Sequence, residues 1–412
     1  MTHPEAMAST WTRTQREVVL ASYLGWMLDA FDYFILVFVI DRIAADFHTE
    51  VRSVTIALTL TLAMRPVGAF LFGRLADRYG RRPALMASVL LYSLMELLSA
   101  FAPSLAVFFV LRALYGIAMG GEWGVGAALA FESIPLRSRG AVSGLLQAGY
   151  PSGYLLAAVV FGLLVGHIGW RGLFVLGAAP ALLVLYIRSR IPESPTWRGQ
   201  ERGAHQPLLH SLSGHWPLVV YAVLLMACFN FLSHGTQDLY PTLLNVQRHF
   251  SVGLRSTIAV LYNIAAILGG LFFGLISGRI GRRRAIALAA LLVLPALPFW
   301  AFSTTALTVA ISACLMQFMV QGAWGVVPVH LNELSPGPLR ATFPGVVYQL
   351  GNLLASGNAW LQATIAVRHG GATQPDYAFA MAWVCGIVAV VLLLLAWFGP
   401  ERRNASFDVS SA

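Results

Sequence analysis

Gly73-Arg-Leu-Ala-Asp-Arg-Tyr-Gly-Arg-Arg82 recurs, degenerate but in register, as Gly274-Leu-Ile-Ser-Gly-Arg-Ile-Gly-Arg-Arg283, a shift of 201 positions. The same shift lays Gly121, Trp123 and Gly124 on Gly322, Trp324 and Gly325. It also lays Glu132, Pro135, Arg139 and Gly144 on Glu333, Pro336, Arg340 and Gly345. One shift serves three separate places without a gap, so the chain reads as two copies of one design.

Outward from these loops the chain is apolar. It is 58% hydrophobic and 11% charged, with a mean hydropathy of +0.70, whereas an ordinary soluble domain is about a quarter charged. Apolar runs recur near the roughly 20 residues that a bilayer-crossing helix needs. They predict spans at 18–40, 53–73, 84–101, 105–130, 141–164, 168–188, 216–240, 256–277, 285–303, 305–330, 343–366 and 377–399. Twelve such runs exclude a single water-soluble core, which would lack the polar faces that amphipathic helices turn to solvent.

Basic residues test the topology independently of hydropathy. All are arginine. With the N-terminus inside, the cytoplasmic side collects the arginines of the two loops, of the 137–139 and 188–202 stretches, of both chain ends and Arg340. The outside receives only Arg42, Arg52, Arg171, Arg248, Arg255 and Arg368. That asymmetry obeys the positive-inside rule and predicts an inner-membrane protein with both termini cytoplasmic. The net charge of +9 is then a topology signal and implies no nucleic-acid partner. The polar first sixteen residues, with Arg13 and Arg16, do not read as a secretory signal, so the N-terminus is expected to stay cytoplasmic. Cys228, Cys314 and Cys385 fall inside apolar spans and read as packing residues, so neither a disulfide framework, a metal nor a cofactor is expected.

The offset holds an even number of spans, so both copies share one orientation, related by an axis along the membrane normal. The expected organisation is an N-terminal six-helix bundle over 1–191, a cytoplasmic linker over 192–215 containing Pro192-Glu-Ser-Pro-Thr-Trp197, and a C-terminal six-helix bundle over 216–412. On the repeated loop and this linker the chain resembles the major facilitator superfamily, an all-α membrane fold of twelve helices. The resemblance implies that the loop from Gly73 is a cytoplasmic gate whose charges pair with neighbouring helix ends. Asp77, Arg78, Arg82, Glu132 and Arg139 match the gate positions, and Gly278 stands where the second copy would repeat Asp77.

Ionisable groups at mid-membrane depth cost at least about 2.5–3.5 kcal/mol, so each needs a partner or a wet cavity. Asp29 and Asp32 sit three apart in span one, Arg65 in span two, Glu96 in span three, Arg112 and Glu122 in span four, and His234 and Asp238 in span seven. Two carboxylates so close in a low dielectric resist ionising together, which makes the aspartate pair a candidate proton carrier; the competing reading is static pairing with an arginine. Arg65 is a candidate substrate contact, because a guanidinium grips a carboxylate with two parallel hydrogen bonds; its rival is a fixed ion pair. For Arg112 and Glu122 an intramembrane structural pair competes with a direct role. His330, near a span end, reads as an interface residue.

Asn230-Phe-Leu-Ser-His-Gly-Thr-Gln-Asp-Leu-Tyr-Pro-Thr242 carries Asn230, Ser233, His234, Gln237 and Asp238 at three-four spacing, one polar stripe on an apolar helix. The shift that matches the loops sets Asp29 on Asn230 and Tyr33 on His234, so spans one and seven face each other across the axis. This stretch resembles the span-seven signature of the lactate and pyruvate/proton symporters grouped with the sialate/proton symporters. Leu62-Ala-Met-Arg-Pro-Val-Gly68 and Tyr348-Gln-Leu-Gly-Asn352 are similar to the same group. The resemblance implies substrate binding by Arg65, Asn230, His234, Gln237 and Gln349, and proton coupling by Asp29, Asp32, Asp238, Glu96 or Glu122. Sialate relatives often carry extra central spans, absent here, which favours a small monocarboxylate. The Asp29–Asp32 pattern is similar to aromatic-acid/proton symporters, which keeps those substrates open.

The expected function is proton-coupled symport of a small carboxylate such as lactate or pyruvate, with the lipid bilayer and protons as partners and a single chain sufficing. An exporter of amphipathic compounds leaves the polar stripe unexplained. An intramembrane enzyme or sensor lacks both a zinc or Ser-His constellation and a signalling domain.

Overall fold

A computed structural model describes residues 11–199, 214–371, 373–403, 405 and 407. Positions 200–213, which hold Arg202 and most of the expected linker, fall outside the description, as does the side chain of Arg52. All regular structure among the described residues is helical. The first half comprises α1 (Arg13–Asp46), α2 (Val51–Tyr79), α3 (Arg81–Ala100), α4 (Leu105–Gly120), α5 (Glu122–Ser133), α6 (Arg139–Leu176), α7 (Ala181–Arg190) and the short α8 (Pro195–Gly199). The second comprises α9 (Trp216–Gln237), α10 (Tyr240–Val246), α11 (Val252–Ile280), α12 (Arg282–Phe302), α13 (Ala306–Trp324), α14 (Val327–Leu334), α15 (Thr342–Ala355), α16 (Asn358–Gly370) and α17 (Tyr377–Phe398).

Among the described residues, ten stretches are long and apolar enough to cross a membrane. One of them, Leu136–Arg190, has 55 residues and reverses at Gly169, whose φ of 64° breaks the helix, so it holds the predicted fifth and sixth spans. The predicted eleventh is split at Ser356–Gly357 into α15 and α16, each too short alone. Counted this way the ten become twelve. Their outer faces are lipid-like: Leu163, Leu182 and Phe398 are 67–77% exposed, a surface that water would not tolerate as one contiguous patch.

The 201-residue repeat is written into the geometry. Ser104 caps α4 by accepting from the Val107 N–H, and Thr305 caps α13 by accepting from the Thr308 N–H. Gly80 and Gly281, with φ of 113° and 102°, make the same tight turn between α2 and α3 and between α11 and α12, a conformation that other residues rarely adopt. Just beyond them, Arg81 donates two hydrogen bonds to Glu132 at 3.1 and 2.9 Å, and Arg282 donates two to Glu333 at 2.9 and 3.1 Å. Glu193 takes the backbone N–H groups of Arg81 and Arg82, as Glu401 takes those of Arg282 and Arg283.

Within each half, glycine lets backbones meet. A Cβ on Gly68 would strike the Ile117 carbonyl, one on Gly269 the Phe318 carbonyl, and one on Gly120 the carbonyl of Arg65 itself. Between the halves, α6 packs on α11 and α2 on α15. Their closest approaches are Gly140 and Gly144 against Gly274 and Gly270, and Gly73 against Thr342. All lie near the Arg-rich face, where the Ser143 hydroxyl also accepts the Val329 N–H at 3.1 Å. The halves are therefore shut at that face, and the cleft between them lies beyond it.

Candidate functional site

Arg65 stands at the floor of this cleft, 3% exposed. Its neighbour Pro66 denies the Leu62 carbonyl a helical donor, and Gly120 holds its backbone against α4. The guanidinium lies 5.3 Å from the Tyr33 ring centroid, and one of its nitrogens meets Met119 Sδ at 2.6 Å. Its Nε has no partner, and no carboxylate pairs with it within 4.0 Å among the described residues. Asp29, Tyr33, Tyr150 and Tyr348 surround it. A guanidinium has five donors in a planar fork, and here most of that capacity is unused.

Asp29 and Asp32 are both buried, and none of their four oxygens has a hydrogen-bond partner. Three residues apart, they serve different neighbourhoods. Asp29 lies within electrostatic reach of both Arg65 and Glu122. Asp32 lies beside Glu96, both packed on Gly177, where a Cβ would sit 3.0 Å from an Asp32 oxygen and 2.8 Å from Glu96 Cγ. Glu96 pairs with Arg112 at 2.6 Å, and Arg112 also donates to Ser99 at 2.8 Å and lies over the Tyr115 ring at 4.3 Å. Arg112 is thus held in an intramembrane ion pair. Glu122 is buried with both oxygens unbonded; it lies against Gly25, beside a cavity of about 10 Å³ lined by Ser22, Trp26 and Pro328. That is about the room one water needs.

The opposite wall comes from α9. His234 Nδ1 meets Asp238 Oδ1 at 3.2 Å, with side chains 37% and 39% exposed, so this wall is wet. Asn352 reaches His234, and Asp238 faces Tyr33 and Tyr150 across the cleft. The rest of the stripe bonds within its own half. Asn230 spends an amide N–H on the Met226 carbonyl at 2.8 Å, and Gln237 donates to Gln317 at 2.9 Å. Gln317 in turn donates to Thr236, and Gln321 to Ser233. Gln317 and Gln321 were not singled out by sequence; their signal is two amides four apart in the apolar run of α13. Gln349 is buried with its carbonyl unbonded. Aromatic rings floor the site: Trp26 stacks on Tyr150 at 5.6 Å, and Tyr348 touches Trp123 at 4.8 Å and Trp324 at 5.6 Å.

At the Arg-rich face, Gly73 contacts Thr342 across the interface. Asp77 accepts from the backbone N–H groups of Ala341 and Thr342 at 3.0 and 3.1 Å and from the Thr342 hydroxyl at 2.6 Å, capping α15 of the other half. Glu132 takes Arg81 and the Ser194 hydroxyl. Arg78 lies at the surface over Tyr79, and Arg82 donates to the Arg188 carbonyl within its own half; the buried arginine of this loop is Arg81. Arg139 lies 3.9 Å from Glu333 of the other half. His330 does not reach an interface: it is 1% exposed, with neither ring nitrogen bonded.

Two repeated helical bundles closing at one face over a charged, half-wet cleft define a multi-pass membrane carrier fold. Residues 22–356 match the Major Facilitator Superfamily, and the chain belongs to it. It is 28% identical to a carboxylic acid transporter protein homolog of Saccharomyces cerevisiae, covering 99% of this chain and 71% of that protein. It is equally 28% identical to the sialic acid transporter NanX of Escherichia coli, covering 84% and 87%. Its fold is similar to that of the proton:xylose symporter XylE, with a TM-score of 0.77 at 20% identity over 96% of this chain and 98% of that one.

Proposed function

We propose that the protein is a secondary active transporter in the inner membrane, its Arg-rich face cytoplasmic, that carries a small monocarboxylate such as lactate or pyruvate together with protons. One observation supports this most: four carboxylates, Asp29, Asp32, Glu96 and Glu122, are buried with only two guanidinium groups, Arg65 and Arg112. Only Glu96 and Arg112 are paired. Unpaired charges at this depth are too costly to persist, so the surplus carboxylates carry protons when the cleft is empty of anion.

A carboxylate entering from the outside meets the unused fork of Arg65 with the Tyr33 ring beside it, and the buried, unbonded amide of Gln349 is a further contact in this reading. His234 and Asp238 on the wet wall pass protons inward to Asp29. Once Arg65 is neutralised by substrate and Asp29 by a proton, nothing charged is left unpaired in the cleft, and the bundles can rock to open the cytoplasmic side. Uptake of labelled lactate and pyruvate into liposomes should rise as the outer pH falls and collapse with a protonophore; uptake indifferent to an imposed pH gradient overturns the coupling. Arg65→Lys keeps the charge but loses the planar fork and should weaken substrate affinity at least about tenfold; unaltered affinity for every carboxylate tested removes Arg65 from the site.

A second reading, symport of a planar aromatic acid, is favoured by the rings of Trp26, Tyr150, Trp123 and Tyr348 around Arg65. Competition of benzoate and nicotinate against lactate in the same liposomes separates the two.

A further inference from the structure

Beyond α17 the chain returns across the Arg-rich face. Arg403 donates to the Arg279 carbonyl at 2.8 Å, and the Ala405 N–H to the Arg402 carbonyl at 3.0 Å. Phe407 then sinks to 6% exposure between two arginines of opposite halves. The Cζ of Arg139, at the start of α6, lies 3.5 Å from its ring centroid, and that of Arg340, just before α15, lies 4.1 Å from it. The same two side chains hold the backbone: Arg139 donates to the Ala405 carbonyl at 2.8 Å and Arg340 to the Phe407 carbonyl at 3.3 Å.

Arg139 and Arg340 are repeat equivalents, so Phe407 sits where the pseudo-two-fold axis leaves the protein. Two guanidinium groups brought together by closure repel each other. A ring between them offers each an electron-rich face, and two carbonyls take their N–H groups, which turns a repulsive meeting into an attractive one. Arg139 moves with one bundle and Arg340 with the other, so parting the bundles must strip the ring from at least one of them. We propose that Phe407 is a gate residue, a clasp made by the chain's own tail that forms only while the Arg-rich face is shut and sets how long it stays shut. This rests on the rocking of two bundles in the function proposed above, but on neither its substrate nor its proton.

The test uses the full-length chain with its three cysteines replaced by serine and one cysteine placed at Ser143, buried at the bundle interface. Alkylation of that thiol in detergent reports opening of the Arg-rich face and needs no substrate. Phe407→Ala should raise the alkylation rate about tenfold, the loss of one modest contact set. Phe407→Leu, which keeps bulk without the ring, should behave like the alanine variant, and Phe407→Tyr like the parent. Equal rates in parent, alanine and leucine variants overturn the clasp, even if uptake proves proton-driven. A raised rate with tyrosine rescue sustains it, even if no carboxylate is carried.

Discussion

At the scale of single residues, the cleft separates charges that are satisfied from charges that are waiting. Glu96 and Arg112 satisfy each other at 2.6 Å, and removing one partner strands the other. Glu96→Ala should therefore destabilise the protein by about 3–5 kcal/mol, seen as a lowered midpoint of thermal unfolding in detergent. Asp29 has no bonded partner to strand, so Asp29→Asn should leave that midpoint nearly unchanged while flattening the pH dependence of uptake. The reverse pattern would mean that the roles of the two acids have been exchanged. Charges such as Arg65, Asp29 and Glu122 were legible in the sequence because each interrupts an apolar run. Gln317 and Gln321 were not, because a neutral amide barely disturbs hydropathy. Sequence favours Arg78 and Arg82 over Arg81, since adjacent loop arginines look alike until their directions are known. The clue was there: Arg81 and Glu132 recur at the same 51-residue separation as Arg282 and Glu333.

At the scale of helices, Arg65 is placed by backbone contact as much as by its own helix. Gly120 lets α4 touch the Arg65 carbonyl, and any side chain there must push α2 away. Gly120→Ala should reduce substrate affinity several-fold, because site geometry tolerates displacements of only about 0.5 Å. Insertion and yield should stay normal; an unchanged affinity would show that α2 absorbs the methyl group without moving Arg65. The spans themselves were legible to within a few residues, since each needs a run of apolar residues of bilayer length. Their interruptions were less so. Gly169 lies at the boundary expected between the fifth and sixth spans, but Ser356–Gly357 breaks a helix inside one apolar run, and hydropathy does not register a dihedral angle. The spacing in α9 predicts one polar lining, yet Asn230 and Gln237 bond within their own half while His234 and Asp238 face the cleft. Helical periodicity names a face but not the neighbour that face meets.

At the scale of the whole molecule, the two halves repeat their turns, their caps and their buried Arg–Glu pairs, but not the carboxylate that reaches across the closed face. Asp77 reaches from the first half to cap α15 of the second, whereas its counterpart Gly278 leaves the start of α6 without a side-chain cap. A Cβ on Gly278 would meet nothing within 4 Å, although its backbone lies beside Gly140 in the first turn of α6. Gly278→Asp thus has room to build the missing mirror image. A side-chain cap contributes about 0.5–2 kcal/mol, so the doubly fastened protein should open toward the Arg-rich face about 2- to 30-fold less often. Single-turnover release on that side should slow accordingly, with binding from the opposite side unimpaired, and unchanged release would show that the new carboxylate never reaches α6. The lopsidedness of the duplicated loop then has a use: a carrier with one carboxylate cap across this face can let go at every cycle, and one with two would spend its time waiting.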